Sequence, residues 1–140
     1  MNGPFFEDVS EGDEGPAIVH DLTRTDMVRY AGASGDFNPL HHDEVKATER
    51  GLPSVFGHGL LSAGLLATAL TNYVGVGHVQ RYKVRFVEHA WPGQVATLIR
   101  VVRKRPPSTI DLECKLLDSA GEPIVVGEAV VILANRVEYV

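Results

Sequence analysis

A run of fifteen residues, 60–74, constrains the fold most, because it leaves almost no polar surface along its length. A helix of this composition must be enclosed by other elements, since a helix at a protein surface shows a polar face. At 1.5 Å per residue it would be about 22 Å long, comparable to the width of five strands about 4.8 Å apart. A sheet could therefore wrap around it. Its apolar positions are Leu61, Leu65, Leu66, Ala69, Leu70, Tyr73 and Val74.

The second half of the chain alternates apolar and polar residues with the period of two that is typical of β-strands. Residues rich in proline and glycine separate the alternating runs and predict turns. We therefore predict an α+β fold, in which one curled antiparallel sheet wraps around the long apolar helix. The predicted strands comprise four consecutive antiparallel ones and an early one, at residues 78–89, 95–103, 109–117, 124–133 and 17–22.

Two shorter helices are predicted before the long one. The first can be capped by Thr23 or Thr25, is followed by apolar residues at helical spacing, and ends near residues 32–35. The second is a short helical turn capped by Asp43 and ended by the glycine and proline within residues 51–53.

Composition predicts one globular domain, covering residues 1–140. With 44% hydrophobic and 22% charged residues, the chain is neither disordered nor collagen-like. Its 140 residues can bury a core without disulfide or metal staples. The net charge of −5 argues against nonspecific nucleic-acid binding. No membrane span is expected, because the apolar run falls short of roughly 20 residues.

The N-terminal residues and the cysteine content bear on the compartment. No positively charged start precedes an apolar run, and acidic residues disfavour a mitochondrial transit peptide, so we expect a cytoplasmic protein. Cys114 is the only cysteine, so no internal disulfide can form. Its place in a strand-like run favours a small core residue over a nucleophile.

The segment GDFNPLH, residues 35–41, has a composition suited to catalysis. It brings a carboxylate, Asp36, and an imidazole, His41, within six residues of each other. Asn38 precedes Pro39, and the proline ring disfavours helical geometry at the residue before it. The two ionisable side chains can therefore point into one space from a rigid loop, with a single water between them.

The phrases SGDFNPLHHD and FGHGLLSAG resemble the hydratase motif of the MaoC-like (R)-specific enoyl-thioester hydratases and dehydratases, which have the hot-dog fold. The likeness covers about residues 5–132. The phrase VRYAGASGDFNPLHHD and the chain length are particularly similar to the single-hot-dog dehydratases of actinobacterial type. The resemblance implies a hydro-lyase of fatty acid metabolism that needs no cofactor. It also implies that Asp36 and His41 flank the reacting water.

Further candidates follow from the chemistry, which needs a group to stabilise the enolate-like oxygen of the thioester. Gly59 can offer its amide there, because the first N–H groups of a helix lack partners and lie at the positive end of its dipole. Ser62, in the same first turn, could cap the helix or touch substrate. Asn38 suits bracing of the loop more than reaction, and His58 is interpreted as structural.

No metal site is expected. His41, His42 and Asp43 are adjacent in sequence, so in an extended segment their side chains point to opposite sides, and no second cluster with ligand spacing exists.

The hypothesis from sequence is reversible hydration of a trans-2-enoyl thioester, carried on CoA or acyl carrier protein, to the (R)-3-hydroxyacyl thioester. One alternative is a hot-dog thioesterase, and another is a non-catalytic acyl-thioester-binding subunit of a dehydratase complex. The expected assembly is a homodimer, or a heterodimer with a related hot-dog subunit, because pairing hides an exposed sheet edge. Acyl length, thioester carrier and the identity of the initial base remain open.

Overall fold

The computed structural model describes residues 3–137, so residues 1, 2 and 138–140 of the predicted domain lie outside the described part of the chain. The described residues form one five-stranded antiparallel sheet and three α-helices, which confirms the predicted α+β class. In chain order the elements are β1 (Val19–Leu22), α1 (Arg24–Ser34), α2 (Glu44–Glu49), α3 (Gly59–Val74), β2 (Val79–Phe86), β3 (Gly93–Arg105), β4 (Thr109–Leu117) and β5 (Pro123–Ile132).

Local side-chain bonds explain where the two shorter helices begin. Thr23, and not Thr25, caps α1: its side chain accepts from the amide of Asp26, and the Asp26 carboxylate accepts in return from the amide of Thr23. Asp43 caps α2, as predicted. Gly35 caps the C-terminus of helix α1 and adopts the left-handed conformation with φ of 76°.

Helix α3 packs against strands β2, β3, β4 and β5, so the enclosing sheet predicted from its composition is confirmed. Its sheet side is fully buried, with Leu66 and Leu70 in the centre. A narrow stripe at i, i+4 spacing nevertheless faces outward: Leu60, Gly64, Thr68 and Asn72. None of the helices within residues 3–137 is both long and apolar enough to cross a membrane.

The strands lie in the order β1-β3-β4-β5-β2, and the sheet is open, with β1 and β2 at its edges. Strand β2 follows α3 in the chain but pairs with β5, so it does not neighbour β3. The periodicity of the sequence predicts the strands without giving this order. The pairing places Phe86, at the end of β2, against Gly59, the first residue of α3.

The core lies between α3 and the inner face of the sheet. Alternate residues of β3 and β4 are buried there. Cys114 is among them and is completely buried, as predicted for a core residue. Burial raises the pKa of its thiol to about 12, so the reactive thiolate form is suppressed at neutral pH.

We expect Leu66→Ala to lower the free energy of unfolding by about 2 to 5 kcal/mol, because it leaves a cavity where α3 meets the sheet. Leu60→Ala is the matched control, since Leu60 lies on the same helix but is 67% exposed, and its effect should stay within about 0.5 kcal/mol. Urea unfolding measures both. Equal losses would contradict the proposed packing of α3.

Candidate active site

The loop after α1 holds its shape through local bonds of its polar side chains. The Asp36 carboxylate accepts from the amide of Asn38 at 3.3 Å. The Asn38 side chain accepts in turn from the amide of Leu40 at 3.1 Å and caps the short 3-10 turn Pro39–His41. Asn38 therefore makes the bracing bond that its position predicts.

The His41 ring is buried and oriented by a backbone carbonyl. Its Nδ1 lies 2.7 Å from the carbonyl oxygen of Phe56. A carbonyl only accepts, so Nδ1 must carry the proton, and in the neutral ring Nε2 is left with a free electron pair. This partner, fifteen residues further along the chain, was not foreseen from the sequence.

Asp36 and His41 converge as the motif predicts. Nε2 of His41 and Oδ2 of Asp36 lie 3.9 Å apart, with the carboxylate half-exposed and the imidazole buried. That distance is too long for a direct hydrogen bond. Both atoms are acceptors in these protonation states, so the arrangement suits a small molecule that donates one hydrogen to each.

The surroundings of His41 favour its uncharged form. Burial is the largest cause that lowers its pKa, and the neighbouring His58 and His42 act in the same direction. The bond to the Phe56 carbonyl and the charge of Asp36 oppose this shift without reversing it. His41 is therefore suited to act as a base near neutral pH.

His58 enters the site more closely than its interpretation as a structural residue implies. Its ring is stacked on that of His41 with centroids 3.8 Å apart, and its Nε2 lies 3.0 Å from the carbonyl oxygen of Asp36. The only sequence signal for this contact is the adjacency of His58 to Gly59, because His58 and Asp36 lie 22 positions apart in the chain.

A cavity of about 530 Å³ lies between the start of α3 and the end of β2. Neither Asp36 nor His41 lines it. The cavity adjoins them through Phe56, whose ring centroid is 4.9 Å from that of His41. It is large enough for a small organic group. Its lining includes Phe56, Gly57, Gly59, Ser62, Phe86 and His89.

Gly59 occupies the first position of α3 and faces this cavity. A Cβ atom built on it would lie 3.2 Å from the ring of Phe86, so glycine keeps the approach to the helix terminus open. Its amide is one of those that α3 cannot satisfy internally. Ser62 is buried and also lines the cavity; it does not cap α3, whose N-cap is His58.

Asp36, His41 and His58 each offer one possible metal-ligand atom, and these atoms lie within 4.8 Å of one another. This cluster differs from the set His41, His42 and Asp43 that is adjacent in sequence. The two imidazoles are stacked with their planes 27° apart. A metal lies in the plane of each imidazole that binds it, about 2.0 to 2.1 Å from the nitrogen. Two ring planes that are so nearly parallel intersect at a distance from either ring much longer than a metal–nitrogen bond. The two histidines therefore cannot share one ion in this arrangement.

Comparison with known proteins agrees with this fold. A family model described as "MaoC like domain" matches residues 14–113. The chain is 28% identical to an (R)-specific enoyl-CoA hydratase of Rhodospirillum rubrum over 94% of its own length and 93% of that protein. It is 33% identical to 3-hydroxyacyl-thioester dehydratase Y of Mycobacterium tuberculosis, over 84% of the chain but only 40% of the relative.

Among solved structures, the unliganded R-hydratase PhaJ1 of Pseudomonas aeruginosa superposes with a TM-score of 0.85. The alignment covers 96% of this chain and 90% of that one at 23% identity, which supports the hot-dog fold. Because the family model covers residues 14–113, including the loop with Asp36 and His41 and the start of α3, the chain belongs to the MaoC-like dehydratase family.

Proposed function

We propose that this chain reversibly adds water to a trans-2-enoyl thioester and forms the (R)-3-hydroxyacyl thioester. The observation that carries the proposal is the pair of acceptor atoms, His41 Nε2 and Asp36 Oδ2, that face each other 3.9 Å apart. The relatives named (R)-specific enoyl-CoA hydratase and 3-hydroxyacyl-thioester dehydratase support the reaction class and its stereochemistry.

In the hydration direction, a water donates one hydrogen bond to Asp36 Oδ2 and a second to His41 Nε2. His41 takes its proton as the water oxygen bonds to the β-carbon of the substrate. The π electrons of the double bond move toward the thioester oxygen. The imidazolium then returns a proton to the α-carbon, so the water is added without net consumption of acid or base. Dehydration is the reverse sequence.

The enolate-like oxygen needs a hydrogen-bond donor that is already in place. We assign this role to the amide of Gly59, because Gly59 is the first residue of α3, at the positive end of its dipole, and lines the cavity. Ser62, which lines the same cavity, is a candidate contact for the thioester or acyl group. Asn38 contributes by keeping the loop in shape.

The proposed assembly is a homodimer or a heterodimer with a related subunit. The edge strand β2 supports it, because Val79–Phe86 has no strand neighbour on its outer side within the described chain. CoA and acyl carrier protein both remain possible carriers of the acyl group. The cytoplasmic location stays a prediction.

We expect Asp36→Asn and His41→Ala each to lower kcat by about 10² to 10⁴. His41→Ala removes one acceptor of the reacting water, and Asp36→Asn puts an NH2 donor in place of the charged Oδ2 if the amide oxygen keeps the bond from the Asn38 amide. The assay follows the loss of conjugated enoyl-thioester absorbance with crotonyl-CoA and longer trans-2-enoyl-CoAs. Asp21→Asn is the matched control, because Asp21 is an exposed carboxylate on the edge strand β1, and it should retain the rate of the unsubstituted protein.

The same assay separates the alternatives when free thiol is measured in parallel. A thioesterase releases thiol, whereas a hydratase loses the enoyl absorbance without it. A binding subunit retains the thioester unchanged. Full activity of Asp36→Asn would contradict the proposed mechanism.

The lowered pKa of His41 predicts the acid side of the pH profile. The base must be unprotonated, so kcat/KM falls as pH drops through this pKa, and the midpoint should lie below the ordinary histidine value of about 6.5. Since the charge of Asp36 raises the His41 pKa, the residual activity of Asp36→Asn should fall at still lower pH.

Crotonyl-N-acetylcysteamine is the preferred substrate for this measurement, because it lacks the phosphates of CoA, which titrate in the same range. A midpoint above 6.5 would contradict the lowered pKa of His41, and an upward shift in Asp36→Asn would contradict the effect of the Asp36 charge on it.

A further inference from the structure

His58 is a buried side chain that contacts both members of the proposed catalytic pair and has no role in the mechanism above. It is 2% exposed and occupies the N-cap position of α3, yet its side chain caps no helical amide. Its ring stacks on His41 at 3.8 Å, and the Tyr30 ring of α1 packs against it with centroids 4.9 Å apart. Three separate segments therefore meet at this imidazole.

The hydrogen bond of His58 reaches the loop that carries the carboxylate. Nε2 donates to the carbonyl oxygen of Asp36 at 3.0 Å, because a carbonyl can only accept. The other hydrogen bonds of Asp36 within the described residues are made to Ser34, the last residue of α1, and to Asn38 in the same loop. His58 is thus the contact that fixes the Asp36 backbone relative to α3.

The remaining nitrogen argues against a role in packing alone. Nδ1 of His58 is buried and has no hydrogen-bond partner among the described residues. An apolar ring would fill the same space without burying an unpaired polar atom. The hydrogen bond from Nε2 to the Asp36 carbonyl explains why this position holds an imidazole and not an apolar ring.

We propose that His58 is a positioning residue that sets the separation of Asp36 and His41. Its Nε2–H holds the backbone of Asp36, while its ring supports the plane of the His41 ring. Asp36 and His41, the two partners of the reacting water, are then both held by one buried side chain at the start of α3. This inference rests on the proposed hydration reaction.

Three substitutions separate the two contacts. His58→Phe keeps an aromatic ring and removes the donor, and should lower kcat by about 10- to 100-fold with little change in KM, as expected for a small misplacement of a reacting group. His58→Gln keeps an amide donor that can reach the Asp36 carbonyl, and should recover part of this loss. His58→Ala removes both contacts and should lose the most.

His78→Phe is the matched control. His78 also bonds a backbone carbonyl through a ring nitrogen, to Ile132 at 2.7 Å, but it lies beside Gly75, just beyond the other end of α3. The change should leave kcat unchanged. Melting temperatures of all variants separate loss of folded protein from loss of rate.

A double substitution tests whether His58 acts through the carboxylate. In an Asp36→Ala protein there is no carboxylate to place, so adding His58→Phe should cause little further loss of kcat. A general loss of structure would instead lower the rate by the same factor in both backgrounds. Full multiplication of the two losses would overturn the positioning role.

Long-range ¹H–¹⁵N NMR of the unsubstituted protein gives a readout that needs no turnover. We expect His58 protonated at Nε2 and His41 protonated at Nδ1. A His58 proton on Nδ1 would overturn the proposed bond, as would folded His58→Phe with unchanged kcat. If the unsubstituted protein hydrates no enoyl thioester, the proposed function fails, and the tautomers still decide whether His58 holds Asp36.

Discussion

The packing of α3 against the sheet is the interaction on which the rest of the structure depends. Burial of the apolar side of α3 fixes the position and direction of its first turn. Just before that turn lie Phe56, whose carbonyl orients His41, and His58, whose ring Nε2–H donates to the Asp36 carbonyl. Gly59, whose amide is the proposed oxyanion donor, is the next residue. One hydrophobic contact thus positions several polar groups that are otherwise independent.

The route of the chain explains why a cavity lies beside this turn. After α3 the chain runs back as β2, which pairs with β5 at the sheet edge. This return brings Phe86 against Gly59 and leaves a space between helix start and strand end, lined on another side by Phe56. A Cβ atom at position 59 would lie 3.2 Å from the Phe86 ring, so glycine allows the close approach of helix and strand without displacing that ring.

Burial and hydrogen bonding act in opposite directions on His41, and their balance suits the proposed chemistry. Burial lowers its pKa, whereas the bond to the Phe56 carbonyl and the nearby Asp36 charge raise it. The ring keeps its basic electron pair near neutral pH, and the same carbonyl prevents that pair from facing away from Asp36. The Phe56 carbonyl therefore sets the orientation and the tautomer of the ring together, whereas burial keeps the ring uncharged.

The sequence by itself determined the local features of this protein, because each depends on neighbours along the chain. The period-two runs gave the strands, the apolar run gave α3, and the spacing of GDFNPLH gave a rigid loop with Asp36 and His41 facing each other. Cys114 as a core residue followed in the same way. Only the tertiary structure decided the strand order, the partner of His41 Nδ1 and the place of His58. These depend on contacts between residues that are distant along the chain, such as His41 with Phe56, His58 with Asp36 and Val19 with Ala96, which no local pattern encodes.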